Sequence, residues 1–432
     1  MMRNLAVILG SILALLLLPS CGREKTKQAE EGPAPVRLRF WHIMNYSGPR
    51  EILAAAVQRF ELQHPGCRVD IQTFENDAYK TKLAIEEASG SPPDVFFTWG
   101  GGPLLERARA GRVLDLSDSV KENAQEGRFI DRALDLCRDG QQIYALPLDM
   151  SAVLLWCNRD LFQKHGLSYP TTFPELLQVC TKFREQGIVP FALGNMKQWT
   201  GAFYFCYLAN RCGGTRLFLD AAHNQPGASF ADPSFIQAGE YVQEMLRLQA
   251  FPNGCNGMDD GPARALFLRG EAAMHLMGTW LVARILDENP GFLAQLQAIP
   301  FPTVPGGQGD SSTLLGGINC AFAVSSTCQE PALACELLRF LTDDQVVSEW
   351  CRIGRLPAMQ TTPEQEAQLP EATREALALL RSAASLQPYY DQYLSPRLAV
   401  EHKKTTHNLF AGTMTPQQAA EKMAATAAAV AR

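Results

Sequence analysis

Six tryptophans punctuate this 432-residue chain, and three of them, Trp41, Trp99 and Trp280, fall just after segments that read as strands. A fourth, Trp199, lies in a polar loop over 195–201. An indole offers a flat, electron-rich face to the apolar C–H side of a ring, and aromatic contacts of this type contribute about 0.5–1.5 kcal/mol beyond area burial. Carboxylates, amides and guanidinium groups supply the complementary chemistry, hydrogen bonds to hydroxyls. Asp149 in a Pro-Leu-Asp corner, Arg355 before Leu-Pro, Asn45 after the first strand and the backbone at Gly316-Gly317 are the polar candidates. Together these suit a small ligand with C–H faces and a rim of hydroxyls.

Other chemistries fare worse. Gly100-Gly101-Gly102 is not followed by Gly-Lys-Ser/Thr, and no G-x-G-x-x-G opens a helix, so no phosphate loop is expected. Asp149, Asp259 and Asp260 are acids that a glycosidase would pair, but such a pair is defined by a separation that sequence does not give. No serine or cysteine stands in a nucleophile elbow. No C-x-x-C and no Cys/His zinc spacing occurs, so neither a metal nor another cofactor is expected. With 39 Lys and Arg against 45 Asp and Glu, and Lys403-Lys404 only a pair, nothing points to nucleic acid.

The elements that would position these residues follow from periodicity. Strands are expected over 36–41 and 67–74, with a helix over 49–62 between them. A helix over 79–89 leads to a nearly all-apolar strand over 94–98, suited to a sheet covered on both faces. Trp41 and Trp99 then stand at carboxyl ends of strands, where open α/β sheets meet their ligands. Three places read as crossings between two lobes: 146–149, 299–302 and 354–357. Helices are expected over 234–249, 261–268, 279–288 and 331–341, and strands over 271–278 and 317–325. Thr172-x-x-Glu175 spells a capping box, and Thr415-Pro416-Gln417-Gln418 caps an alanine-rich last helix.

The ends differ in character. Arg3 precedes an apolar run over 5–18, and Leu18-Pro19-Ser20-Cys21 has a small residue directly before a cysteine. This reads as a lipoprotein signal peptide over 1–20 with Cys21 as the lipidated residue. The polar stretch over 21–35 reads as a flexible tether. Removing Arg3 from the 39 basic residues leaves 38 against 45 acids, a mildly acidic body. Of twelve cysteines, Cys21 is assigned to lipid, leaving an odd eleven. Cys137, Cys157 and Cys180 read as buried thiols, while Cys206 with Cys212 and Cys320 with Cys328 are near enough in sequence to bridge.

One ordered series of motifs runs through the whole body. Tyr144-Ala145-Leu146-Pro147 and Asp149 are followed by an apolar run ending in Asn158, then Asp160-Leu161-Phe162, Gly166-Leu167 and Pro170-Thr171-Thr172-Phe173-Pro174-Glu175-Leu176. Gly270-Glu271-Ala272-Ala273-Met274 with Gly278-Thr279-Trp280, Phe340-Leu341-Thr342-Asp343, Gly354-Arg355-Leu356-Pro357-Ala358 and Thr415-Pro416-Gln417-Gln418-Ala419 come after. The order resembles that of the family 1 extracellular solute-binding proteins, the maltose-binding-protein-like receptors of bacterial ABC importers. The resemblance implies an α/β, two-lobed, periplasmic-binding-protein-like type II fold with a multi-strand hinge. Lobe 1 is expected over 36–147 and 300–345, and lobe 2 over 148–299 and 346–432.

It also implies a non-enzymatic, monomeric, extracytoplasmic lipoprotein that binds a mono- or oligosaccharide between the lobes and delivers it to a membrane permease by hinge closure. A sensor subunit for a membrane kinase and a receptor for glycerol phosphate or a polyamine are the alternatives; an exported glycosidase is disfavoured. A phosphate-bearing solute would need more cleft Arg and Lys than the sequence alone places. Within this frame Trp280 and Trp199 either stack on ligand or pack at the cleft edge, and Trp99 and Trp41 either stack or wall the hinge. Asp149 either bonds ligand or holds the hinge turn, and Arg355 either bonds ligand or pairs with Asp149. Gly317, with Gly316, lets the backbone approach a ligand or forms a turn. His42, Asn45 and Tyr46 are placed to line the cleft. Trp156 is read as core, and Trp350 is assigned to neither role.

Overall fold

The computed structural model describes residues 36–122 and 126–430; the expected signal peptide, tether and lipidated Cys21 lie outside them. The chain opens with β1 (Val36–His42), α1 (Ser47–Gln63), β2 (Cys67–Thr73), α2 (Asn76–Ala88) and β3 (Val95–Thr98). β1 pairs in parallel with β2 and with β3, the β-α-β opening that the periodicity predicts. α1 buries Ile52, Leu53, Ala56, Val57 and Phe60 along one face, the i, i+1, i+4, i+5, i+8 stripe of a helix lying on a sheet. All four residues of β3 are buried.

Two long strands carry the architecture. Leu146–Asn158 is buried at every position, and Thr313–Val324 runs antiparallel to it. Where the sequence reads as a Pro-Leu-Asp corner at a crossing, the structure has one unbroken strand running through Pro147 and Asp149. Proline, which has no N–H to donate, is accommodated where the pairing is irregular: register shifts occur between Ile318 and Cys320 and between Cys320 and Ala321, opposite Asp149 and Pro147. The sheet, ten-stranded among the described residues, runs β2, β1, β3, Thr313–Val324, Leu146–Asn158, Ala272–Gly278, Val189–Ala192, with three short strands attached to the two long ones.

Apolar packing divides along these same strands. One core takes Leu38 to Met150 and returns with Ile318 to Met359. The other takes Ala152 to Leu315 and Ala372 to Ala427. The chain therefore passes from the first core to the second between Met150 and Ala152, inside a strand, rather than at 147/148. The expected crossing at 299–302 is corrected: Leu296–Ile299 pairs with the second half of the Leu146–Asn158 strand, and Phe301 and Val304 pack in the second core. The second passage lies between Leu315 and Ile318. Helix Asp344–Arg352 buries Val346, Val347 and Trp350 in the first core, so the third passage follows Met359 rather than residue 345.

Local signals are realised in detail. Thr172 and Glu175 form the reciprocal capping box, and Thr415 and Gln418 cap helix Pro416–Val430 in the same reciprocal way, with bonds of 3.2 and 2.9 Å. That helix buries Ala419, Ala420, Met423, Thr426 and Ala427. All eleven described cysteines are unbridged, Cys206, Cys212, Cys320 and Cys328 included. Burial pushes the Cys212 and Cys328 thiols up to about 12, so they behave as small apolar fillers. Among the described residues no helix is long and apolar enough to cross a membrane, and no His/Cys/Asp/Glu group could hold a metal ion.

Candidate functional site

A cleft of about 160 Å³ lies between the two cores. On the first-core side its wall is made by the segment after β1 (Ile43, Met44, Tyr46), by Asn76 and Lys80 on α2, by Trp99 after β3, and by Asn319 and Arg355 at the crossings. On the second-core side Trp199, Phe203, Trp280, Arg284, Asp260, Arg264, Tyr389, Asp391 and Gln392 face them. Trp99 follows the carboxyl end of β3, the position at which the topology predicts ligand contact.

The aromatic wall is a built corner. The ring centroids of Trp199 and Trp280 are 6.3 Å apart at 59°, and Phe203 stands 5.5 Å from Trp199 and 6.3 Å from Trp280. Trp280 follows strand Ala272–Gly278, and its indole folds back over Gly278, where an added Cβ would overlap the ring. Trp199 opens helix Trp199–Ala222, behind Gln198 in a left-handed conformation at φ +69°. Opposite, Trp99 is fixed edge-on against Phe97 at 4.7 Å, and Lys80 Nζ lies 4.7 Å from the Trp99 ring centroid. All three tryptophans are partly exposed. Flat indole faces on two walls, with polar groups between them, leave the arrangement suited to a ring that presents C–H surface above and below and hydroxyls at its edge.

Asp149 does not line this cleft. It is 1% exposed, and its Oδ2 accepts from Arg355 Nε at 2.8 Å, from a second Arg355 nitrogen, and from Asn319 Nδ2 at 2.9 Å. The expectation of ligand contact gives way to the hinge role, because the carboxylate is committed inside the protein. Burial pushes the Asp149 carboxyl up, and the Arg355 guanidinium pulls against it. Arg355 does reach the cleft wall, and its Nη1 donates to the Tyr46 hydroxyl at 2.8 Å. Asn319 sits at the irregular pairing, where the bulge turns its side chain to Asp149 and to the cleft.

The remaining candidates separate clearly. Trp41 is 2% exposed and packs on Phe74 at 4.8 Å, in the first core instead of the cleft. Gly317 lies behind Tyr389, with no place on the cleft wall, while an added Cβ at Gly316 would come within 2.7 Å of Ser151 O. Smallness serves strand packing at Gly316, whereas a Cβ at Gly317 would make only ordinary contacts with Leu136 and Tyr389. His42 is buried, and its Nδ1 accepts from Met44 N–H at 3.2 Å. Asn45 stands at the rim, accepting from Arg284 at 3.2 Å. Trp156 is core as read, donating from Nε1 to Met277 O at 2.8 Å, and Trp350 proves to be core as well.

Sequence reading missed Lys80, Arg264, Arg284, Asn319, Tyr389 and Asp391. The charged ones stand on helices at positions that pass for solvated faces. The dense Tyr389-Tyr390-Asp391-Gln392 run is the one signal that was there to be found. Arg264 is held by Asp260 and, at 2.7 Å, by Glu288. Burial lowers Lys80, with Asp391 the main group pulling the other way. His275 donates from Nδ1 to Ala192 O at 2.8 Å, and its Nε2 lies 4.0 Å from Asp260; burial lowers the His275 pKa, with Asp260 pulling the other way.

The two sides also touch at the rim. Ser47 bonds Asp287, Arg284 stacks on the Tyr46 ring at 3.7 Å, and Lys197 Nζ lies 3.8 Å from Glu75 and 3.9 Å from Asp77. At the opposite end Gly101 and Gly102 bring the start of helix Gly101–Arg109 against the backbone of Gln392, Tyr393 and Leu394.

With this geometry in hand, comparison with known proteins gives consistent matches. The model of the bacterial extracellular solute-binding protein family matches residues 46–347. An uncharacterized ABC transporter extracellular-binding protein of Pyrococcus horikoshii is 25% identical over 270 residues, 61% of this chain and 58% of that protein. The chain thus aligns with less than two thirds of that relative's length. The multiple sugar-binding protein of Streptococcus mutans is 20% identical over 364 residues, 81% of each chain. A structure from work on xylan utilization by the thermophilic bacterium Caldanaerobius polysaccharolyticus superposes with a TM-score of 0.86 at 29% identity, covering 90% of this chain and 99% of that one.

Proposed function

We propose that this chain, which belongs to the bacterial extracellular solute-binding protein family, is the saccharide receptor of an ABC importer. The observation that carries the reading is the Trp199–Trp280 corner facing Trp99 across a cleft between two cores. Trp199, Trp280 and Trp99 take the C–H faces of a sugar, while Asn319, Arg355, Asp391 and Gln392 bond its hydroxyls. Support comes from the multiple sugar-binding relative, which aligns over 81% of each chain. The protein's work is binding and delivery to a membrane permease, with no bond made or broken. It acts outside the cytoplasm as a monomer, tethered to the membrane through lipid on Cys21.

Isothermal titration with mono-, di- and oligosaccharides tests the reading. At least one should bind at about micromolar dissociation constant, about −8 kcal/mol; silence across the panel would sink the assignment. The tether is tested separately. Cys21→Ser should lose labelling by radioactive palmitate and leave the membrane fraction, and retention of both would refute lipidation.

A further inference from the structure

Three guanidinium groups converge on one part of the cleft wall: Arg264, Arg284 and Arg355. Two of them are neutralised within the protein. Arg264 is held between Asp260 and Glu288, and Arg355 is bonded to Asp149. Arg284 is different. Its guanidinium carbon stands over the Tyr46 ring, 3.7 Å from the centroid, and a guanidinium nitrogen donates to Asn45 Oδ1 at 3.2 Å; among the described residues it has no ion pair. It is half-buried beside its two fellow arginines, and burial lowers its pKa, with Tyr46 and Asp260 pulling the other way and Arg264 and Arg355 acting in the same direction as burial.

A partly desolvated cation with no carboxylate bonded to it is costly to leave so, and a guanidinium spends unused donors best on a planar, bidentate anion. The other carboxylate on the wall, Asp391, pulls on Lys80 instead, and Asp260 is already bonded to Arg264. We infer that the cleft selects a saccharide carrying an anionic substituent, the carboxylate of a uronic acid or a phosphate ester, seated on Arg284 while the sugar rings stack on the tryptophans. This rests on the receptor reading above and narrows its substrate class.

The test is isothermal titration of the full chain with a uronic-acid-bearing oligosaccharide, its neutral parent of equal length and a sugar phosphate, each at low and high salt. The expected result is about a tenfold preference for an anionic member over the neutral parent, about 1.4 kcal/mol. Salt should reduce that preference, since the site opens to solvent. Whichever of the two anions has the larger advantage identifies the substituent. In Arg284→Gln the ratio should fall towards one, with Arg284→Lys keeping part of it.

A neutral parent that binds as tightly as the anionic members overturns the inference, and so does a preference that survives Arg284→Gln. Should Arg284→Gln fail to give a native melting curve, the salt dependence of the wild-type ratio decides alone. The two levels of failure look different. Neutral sugars binding without any anionic advantage refutes only the substituent, whereas no saccharide binding at all refutes the receptor.

Discussion

Trp280 can lie across the strand before it only because residue 278 has no side chain: an added Cβ there would overlap the indole. The ring is thereby turned towards Trp199 and Phe203 and presented, partly exposed, to the cleft. Truncating it removes a stacking platform along with its apolar area, so Trp280→Ala should weaken saccharide binding at least about tenfold, an energy of about 1.4 kcal/mol or more. Its melting curve should change little, because the fully buried packing of the second core lies behind the ring. Unchanged titration with a native melt would remove Trp280 from the site. Trp99 and Trp280 were legible because they follow strand ends, whereas Trp199 was read from a polar loop and Trp41, also at a strand end, packs in the first core. Asp149 was legible only as a position, since nothing local says that a carboxylate in a Pro-Leu-Asp corner will meet an arginine 206 residues later. Its burial converts a ligand candidate into a hinge pin, whose loss would leave Arg355 buried and unpaired at a cost of about 3–5 kcal/mol.

Helix Gly101–Arg109 begins with two residues whose smallness is spent on a contact between the cores. A Cβ on Gly102 would stand 2.5 Å from Tyr393 O and 2.8 Å from Leu394 O, both backbone atoms that cannot rotate away. Leu104 of that helix belongs to the first core, whereas Tyr390 and Leu394 belong to the second. Gly102→Ala should therefore separate these two segments rather than unfold either core. Saccharide affinity should fall, and the melting temperature should drop by only a few degrees, consistent with about 1–2 kcal/mol for a strained contact. A variant that binds as the parent does would show that the contact does not matter to the cleft. The glycine triplet was visible in the sequence, and its exclusion as a phosphate loop stands on the missing Gly-Lys-Ser/Thr. Its actual service was hidden because the partner, 390–394, has no periodicity that marks an element. Helices with a stripe and a cap were readable almost to the residue, as Thr172 and Thr415 show. Where the chain changes core was less so, because two of the three passages occur inside continuous strands, and a strand buried on both sides carries no mark at the point where its neighbours change.

At the scale of the molecule, the two cores are joined through the paired strands Leu146–Asn158 and Thr313–Val324, and they touch again at the cleft rim. A bend at the irregular pairing around Cys320 would open the rim while leaving both cores intact. The rim contacts then belong to the closed form alone. Ser47–Asp287 and the Lys197 pairs with Glu75 and Asp77 are partly exposed, so each is worth only about 0.2–1 kcal/mol. Removing both, in Asp287→Ala/Lys197→Ala, should shift the balance towards the open form by about 1 kcal/mol, roughly fivefold. Neither residue lines the cleft, so a change in affinity cannot come from lost ligand contacts. The double variant should bind its saccharide more weakly, by up to about fivefold, and show a larger radius of gyration by small-angle scattering without ligand, by the same population argument. Saturating ligand should return it to the parent's radius, because the ligand's own contacts with both walls outweigh the missing rim. If affinity and radius both match the parent, the rim does not bias closure, and the hinge strands alone set the balance between open and closed.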